Sequence, residues 1–290
     1  METGMTKNNE DNSFLAVRKK IGRAGLYLIL LVFAVTTLYP LIWMFYTSFK
    51  SNQDISMSTF ALPTKLHFEN YVSAWNTANM GLYFFNSVFI STVSIILTIL
   101  IGGSAAFILS KFKFRFQKFV YTIFIIGMLI PLQSVLVPLF IQMRSFNLLN
   151  SPWSLILSYT AFALPTTIFI LESFIRAFPD EIIEAAIIDG SSVPRVFFKI
   201  ILPMSTPAIS TVAILNFLNN WKEFSFALIF ITDDTKKTLP LGLYNFLGAN
   251  TSDYASLMAA LMISSVPIII LYLILQKQVI NGMTAGAVKG

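Results

Sequence analysis

Six predominantly apolar stretches, near residues 24–48, 82–110, 119–141, 153–175, 204–231 and 255–276, are each long enough to cross about 30 Å of hydrocarbon as a helix. No other feature limits the fold so strongly. In lipid a backbone must pair its N–H and C=O groups internally, which leaves helices or a closed barrel, and runs of this length suit helices. Composition agrees: 56% of residues are hydrophobic and 12% are charged, against about a quarter charged in soluble domains. The predicted fold is all-α, a polytopic membrane protein with about six transmembrane helices. It is organised as a cytoplasmic leader over 1–23, partly disordered at about 1–14, a membrane domain over 24–277 and a cytoplasmic tail over 278–290. The first stretch is too long for a removable signal peptide and lacks a small-residue cleavage site, so it is expected to stay as a helix.

The bases flank the apolar runs. With the N-terminus in the cytoplasm, fourteen of the twenty Lys and Arg fall on the inner side, among them Arg18, Lys19, Lys20 and Arg23 before the first run and Lys111, Lys113, Arg115 and Lys118 after the second. That asymmetry predicts both termini on the cytoplasmic side of the membrane. The net charge of +6 is thereby explained by topology; no basic face of the kind nucleic acid needs is formed. The chain has no cysteine and one histidine, His67, so a thiolate nucleophile or a Cys- or His-based metal cluster is not expected.

One connector is too structured for a plain loop. Between the fourth and fifth runs lies a coupling loop, residues 179–203. In it Pro179 and Asp180 are expected to start a helix, with Asp180 as N-cap, Glu181 in the first turn, and Ile182, Ile183, Ala186 and Ile187 as an apolar face. Gly190 ends it, and Ser191 or Ser192 can cap a second short helix with Pro194 in its first turn. A helix, a glycine knuckle and a second helix suit either a docking element or an amphipathic hairpin lying on the membrane.

Glu184-Ala185-Ala186, then Asp189 and Gly190, Phe197, Ile200, Leu202 and Pro203 resemble the signature loop of the membrane subunits of binding-protein-dependent ABC importers in their carbohydrate form. "FENYVSAW" (68–75), "FIRAFPDEIIEAA" (174–186) and "GMTAGAVKG" (282–290) are similar to the second, six-helix permease of maltose-type systems. The resemblance implies an ATP-driven permease for a sugar, first of all an oligosaccharide. The implied partners are a homologous sister permease, two cytoplasmic ATPase subunits and an extracellular sugar-binding protein, in contact with membrane lipid. It assigns coupling to Glu184, Ala185, Ala186, Asp189 and Gly190, and an ATPase contact to Thr284, Ala285, Gly286 and Lys289 of the tail. It also implies no catalysis and no cofactor on this chain, ATP and its magnesium being held by the partner. The sequence agrees in lacking a G-x-x-x-x-G-K-[ST] phosphate loop.

Other readings are an importer permease for a non-sugar solute and an ion-coupled secondary transporter. The latter uses intramembrane carboxylates, for which Glu172 and Glu223 are the candidates. The most polar stretch at lipid depth is "FLNNWKEF" (217–224). In one reading Asn219, Asn220 and Glu223 bond sugar hydroxyls while Trp221 and Phe224 stack on sugar rings. In the other Trp221 belongs to an interfacial belt and Lys222 snorkels outward. Pro131, Pro138 and Pro165 are expected to kink helices for packing, and Gly102-Gly103-Ser104-Ala105-Ala106 to permit close helix approach.

Overall fold

The computed structural model describes residues 3–77, 79–244, 246 and 253–287, with side chains described for 22–76, 79–244, 246 and 253–274. Among the described residues the fold is helical throughout, with no strand. In chain order the helices are α1 (Thr3–Thr47), α2 (Asn52–Met57), α3 (Glu69–Thr77), α4 (Met80–Lys111), α5 (Gln117–Gly127), α6 (Leu132–Ser145), α7 (Pro152–Arg176), α8 (Glu181–Ile188) and α9 (Val193–Val196). A wide π-turn over Phe197–Ile201 follows, then α10 (Leu202–Met204), α11 (Thr206–Trp221), α12 (Ser225–Phe230), α13 (Leu239–Tyr244) and α14 (Tyr254–Ala287).

Four segments are unbroken and apolar enough to span: Gly22–Thr47, Met80–Lys111, Pro152–Arg176 and Tyr254–Ile274. Counting each of two bent pairs as one span brings the total to six. The third expected span is one of these pairs, α5 and α6, which meet at 102°. Pro131, the residue before α6, has no N–H to continue the ladder, so the chain turns there. Pro138 and Pro165, by contrast, lie inside α6 and α7 without breaking them. The fifth span also departs from expectation. A 79° bend separates Val193–Met204 from Thr206–Trp221, and a second break at 222–224 separates α11 from α12. At the N-terminus, the expected disordered leader has helical backbone from Thr3, with no proline before Pro40 to interrupt it. The expected tail likewise continues α14 as far as Ala287.

α4 and α7 form the most extensive helix pairing, and α11 packs across both. Small residues let α4 and α7 approach: a Cβ on Gly102 would lie 2.8 Å from Thr167 Cγ2, closer than packed carbons sit. Three apolar clusters follow the bundle. One, near the Arg176 end of α7, joins Phe107, Leu171, Ile175, Phe197 and Val212; a second, near the Pro152 end, joins Leu155, Ile156, Tyr159, Phe226 and Phe230. The third sets Tyr83 and Trp221 against Ala259 and Ala260. α1 differs from the rest: from Gly22 to Ile42 every residue is exposed, and none of the described side chains covers it.

Candidate coupling element and transport cavity

α8 begins where α7 ends, and Lys111 holds the junction. The buried Nζ of Lys111, at the end of α4, donates to Phe178 O (2.5 Å) and pairs with Asp180 Oδ1 (2.7 Å). Asp180 therefore occupies the cap position without capping. Its backbone there is helical and its carboxylate is taken by Lys111, which holds it below the usual carboxylate range. At the other end Gly190 N donates to Ile187 O and Ser191 N to Ala186 O, both at 2.9 Å, with Gly190 at φ +84°. This double bond pattern is a Schellman stop, and its left-handed residue favours glycine. Ser192 precedes α9 without a side-chain cap bond, and Pro194 lies in that helix's first turn as expected.

The apolar face of α8 divides in a way the spacing did not anticipate. Ile183 and Ala186 are buried in this chain's own core beside Val196 and Phe197, whereas Ile187 and Ile188 are exposed. Ala186 is thus an internal packing residue rather than an outward contact. Glu184, Ala185, Asp189 and Gly190 do face outward, and Glu184 has no ion-pair partner among the described residues. Of the expected tail contacts, Lys289 lies outside the described residues. Thr284, Ala285 and Gly286 are described only as helical backbone in α14.

A cavity of about 570 Å³ opens between α6, α7, α11 and α12. Asn219, Asn220 and Glu223 line it, together with Gln133, Tyr159, Thr166, Asn216, Lys222 and the apolar Leu132, Phe162 and Phe224. Glu223 also organises the break between α11 and α12. Its carboxylate accepts from Tyr159 Oη (2.8 Å), Phe226 N (2.7 Å) and Ala227 N (3.3 Å), pairing α12 donors that would otherwise be left open. The far end of α12 is tied to the turn before α7, where Asn150 N donates to Phe230 O at 2.8 Å.

Trp221 corrects the stacking expectation and the belt alternative together. It is 3% exposed, stacks on Phe217 at 5.2 Å, and donates its indole N–H to Ser264 O at 3.0 Å. It pins α11 to α14 and is absent from the cavity wall. Glu172 is likewise engaged, in an ion pair with Arg176 one turn on. Both carboxylates considered for ion coupling therefore have partners within the chain. Lining by Asn216 was readable from its position three and four residues before Asn219 and Asn220. Gln133, Tyr159 and Thr166 arrive from other helices and had no local signal.

A family model described as "Binding-protein-dependent transport system inner membrane component" matches residues 98–284. The chain belongs to that family. Its match runs from within α4 to within α14, through both the coupling element and the cavity. Among relatives in this transport family, the chain is 40% identical over 270 residues to a probable ABC transporter permease protein, YurM, of Bacillus subtilis (strain 168), covering 93% of this chain and 90% of that one. It is 38% identical over 260 residues to the diacetylchitobiose uptake system permease protein NgcG of Streptomyces coelicolor, covering 89% and 86%. Its fold matches a chain from a bacterial ABC transporter involved in the import of the acidic polysaccharide alginate, with a TM-score of 0.76 and 22% identity over 90% of this chain and 97% of that one. The protein is a transport permease of the inner membrane, not an enzyme.

Proposed function

We propose that this chain is one of two permease subunits of an ATP-driven importer that carries a saccharide, in the first place an oligosaccharide, across a bacterial cytoplasmic membrane. A binding protein delivers the sugar from outside. Two cytoplasmic ATPase subunits hold ATP and magnesium. Both termini lie in the cytoplasm, where Thr284, Ala285, Gly286 and Lys289 of the tail meet the ATPases. The substrate class is supported by relatives named for diacetylchitobiose uptake and for multiple sugar-binding transport, and by a structural neighbour named for alginate import.

The observation that carries the mechanism is the outward-facing helix, Schellman turn and helix between α7 and the fifth span. An exposed element rooted by Lys111 and Asp180 on one side, and by buried Ile183, Ala186 and Phe197 on the other, moves with the spans it joins when a partner grips it. Glu184, Ala185, Asp189 and Gly190 form the gripped surface, Glu184 supplying a charged contact. Asn219, Asn220 and Glu223 line the path the sugar takes, and α1's uncovered face is available to the sister permease.

The test is the reconstituted complex with ATPase, sister permease and binding protein. Glu184→Lys combined with Gly190→Val should abolish ATPase co-purification and substrate-stimulated turnover, while the permease remains in the membrane. Wild-type values for both would reject the coupling role. Uptake that follows an ion gradient without ATP would reject the importer reading itself.

A further inference from the structure

Lys222 occupies the break between α11 and α12, within the polar stretch 217–224, and is exposed. Its depth follows from two contacts with α7. Phe230, at the far end of α12, is bonded to Asn150 beside the Pro152 end of α7. Glu223, next to Lys222, reaches Tyr159, seven residues along α7 and thus about 10 Å further in. Lys222 therefore stands about two turns below that end of the bundle, and it lines the cavity.

Among the described residues no carboxylate lies within ion-pair distance of Lys222. Glu223, the other charged residue in the wall, has both oxygens committed to Tyr159, Phe226 and Ala227. The wall otherwise offers amides and hydroxyls beside apolar surface. What remains uncommitted is the exposed ammonium of Lys222, whose three donors are available to an anionic partner entering the cavity. We propose that Lys222 is a specificity-determining residue that seats an anionic group of the transported saccharide, a uronic-acid carboxylate or a sulfonate or phosphate of similar shape. This rests on the cavity being the sugar path.

The experiment uses the full reconstituted complex with its binding protein and a panel of probes: maltose, maltotriose, digalacturonate, trigalacturonate and glucuronate-terminated disaccharides. ATP turnover and uptake should be stimulated most by acidic members. Lys222→Gln should lower the acidic-to-neutral uptake ratio by about tenfold or more, the effect of losing a charge-assisted hydrogen bond, and Lys222→Arg should largely preserve it. Stimulation by neutral probes alone, or an unchanged ratio in Lys222→Gln, overturns the assignment while leaving the sugar permease intact. Loss of sister-permease co-purification in Lys222→Gln with no change in the ratio also overturns it, by giving Lys222 a partner across the subunit interface. No stimulation by any saccharide would reject the sugar reading and this assignment with it.

Discussion

Neighbouring residues in a helix point about 100° apart, so Asn220 and Trp221 serve different ends although they are adjacent in sequence. Asn220 lines the cavity; Trp221 is buried against Phe217 and Ser264. Asn220→Ala should raise the substrate concentration for half-maximal uptake by about threefold to tenfold, the equivalent of one hydrogen bond of roughly 0.5–1.5 kcal/mol, at normal expression. Trp221→Ala should instead lower thermal stability by about 3–5 kcal/mol, seen as early melting in detergent whether or not sugar is present. The polarity of 217–224 was legible in the sequence and so was the shared face of Asn216, Asn219 and Asn220, but not which face of α11 meets the cavity, and beyond Trp221 the break at 222–224 resets the helical phase. Asp180 teaches a related lesson. Its capping position was predicted, while its bond to Lys111, 69 residues away, left no trace in local pattern. Since the folded carboxyl is held low, the pair's contribution is present above the ordinary carboxylate pKa of about 4 and is lost as pH falls through the depressed value. The protection of α8 amides, exchange taken relative to the unfolded-chain rate at each pH, should stay level from neutral pH to about 4 and fall below it. Asp180→Asn should remove that acid-dependent step.

Among the elements, α4 and α7 were legible because both are long, apolar and unbroken. Their mutual packing was foreshadowed by the glycines and alanines at 102–106. At Gly102 the missing Cβ makes room for Thr167 Cγ2, and at Gly103 Phe197 lies 3.5 Å from where one would be. Gly102→Val should destabilise the bundle by about 1–3 kcal/mol by overpacking, measured as a lower melting temperature of the purified complex. Thr167→Ser in the same background should recover part of the loss, since it removes the opposing methyl and keeps the hydroxyl that accepts from Asn216 Nδ2. The bent spans were less legible. A hydropathy window sums composition and says nothing about direction, so residues 119–141 looked like one straight crossing although α5 and α6 meet at 102°. Pro131 was visible, but Pro138 and Pro165 were equally visible and sit inside continuous helices. Whether a proline breaks or merely bends a helix depends on the neighbours available to the carbonyls it frees.

For the molecule as a whole, the apolar length of α1 from Gly22 to Ile42 is uncovered by the described residues, as suits a helix that meets lipid or a partner. The candidate coupling element lies at the Arg176 end of α7 and the cavity toward its Pro152 end, with α7 and α11 running between them. The wide turn at Phe197–Ile201, where Leu202 N bonds back to Phe197 O, sits on that connection and holds one residue more than a regular helical turn would. It behaves as a phase offset: α9 is rotated about the shared axis relative to α10 by the angle one residue subtends. Deleting the exposed Phe198 should restore ordinary winding, turn the coupling surface by about 100° and draw it in by about 1.5 Å. A permease so altered should still insert in the membrane yet fail to retain its ATPase on co-purification. The azimuth at which the two ends meet would then be as much a part of the machine as the residues they present.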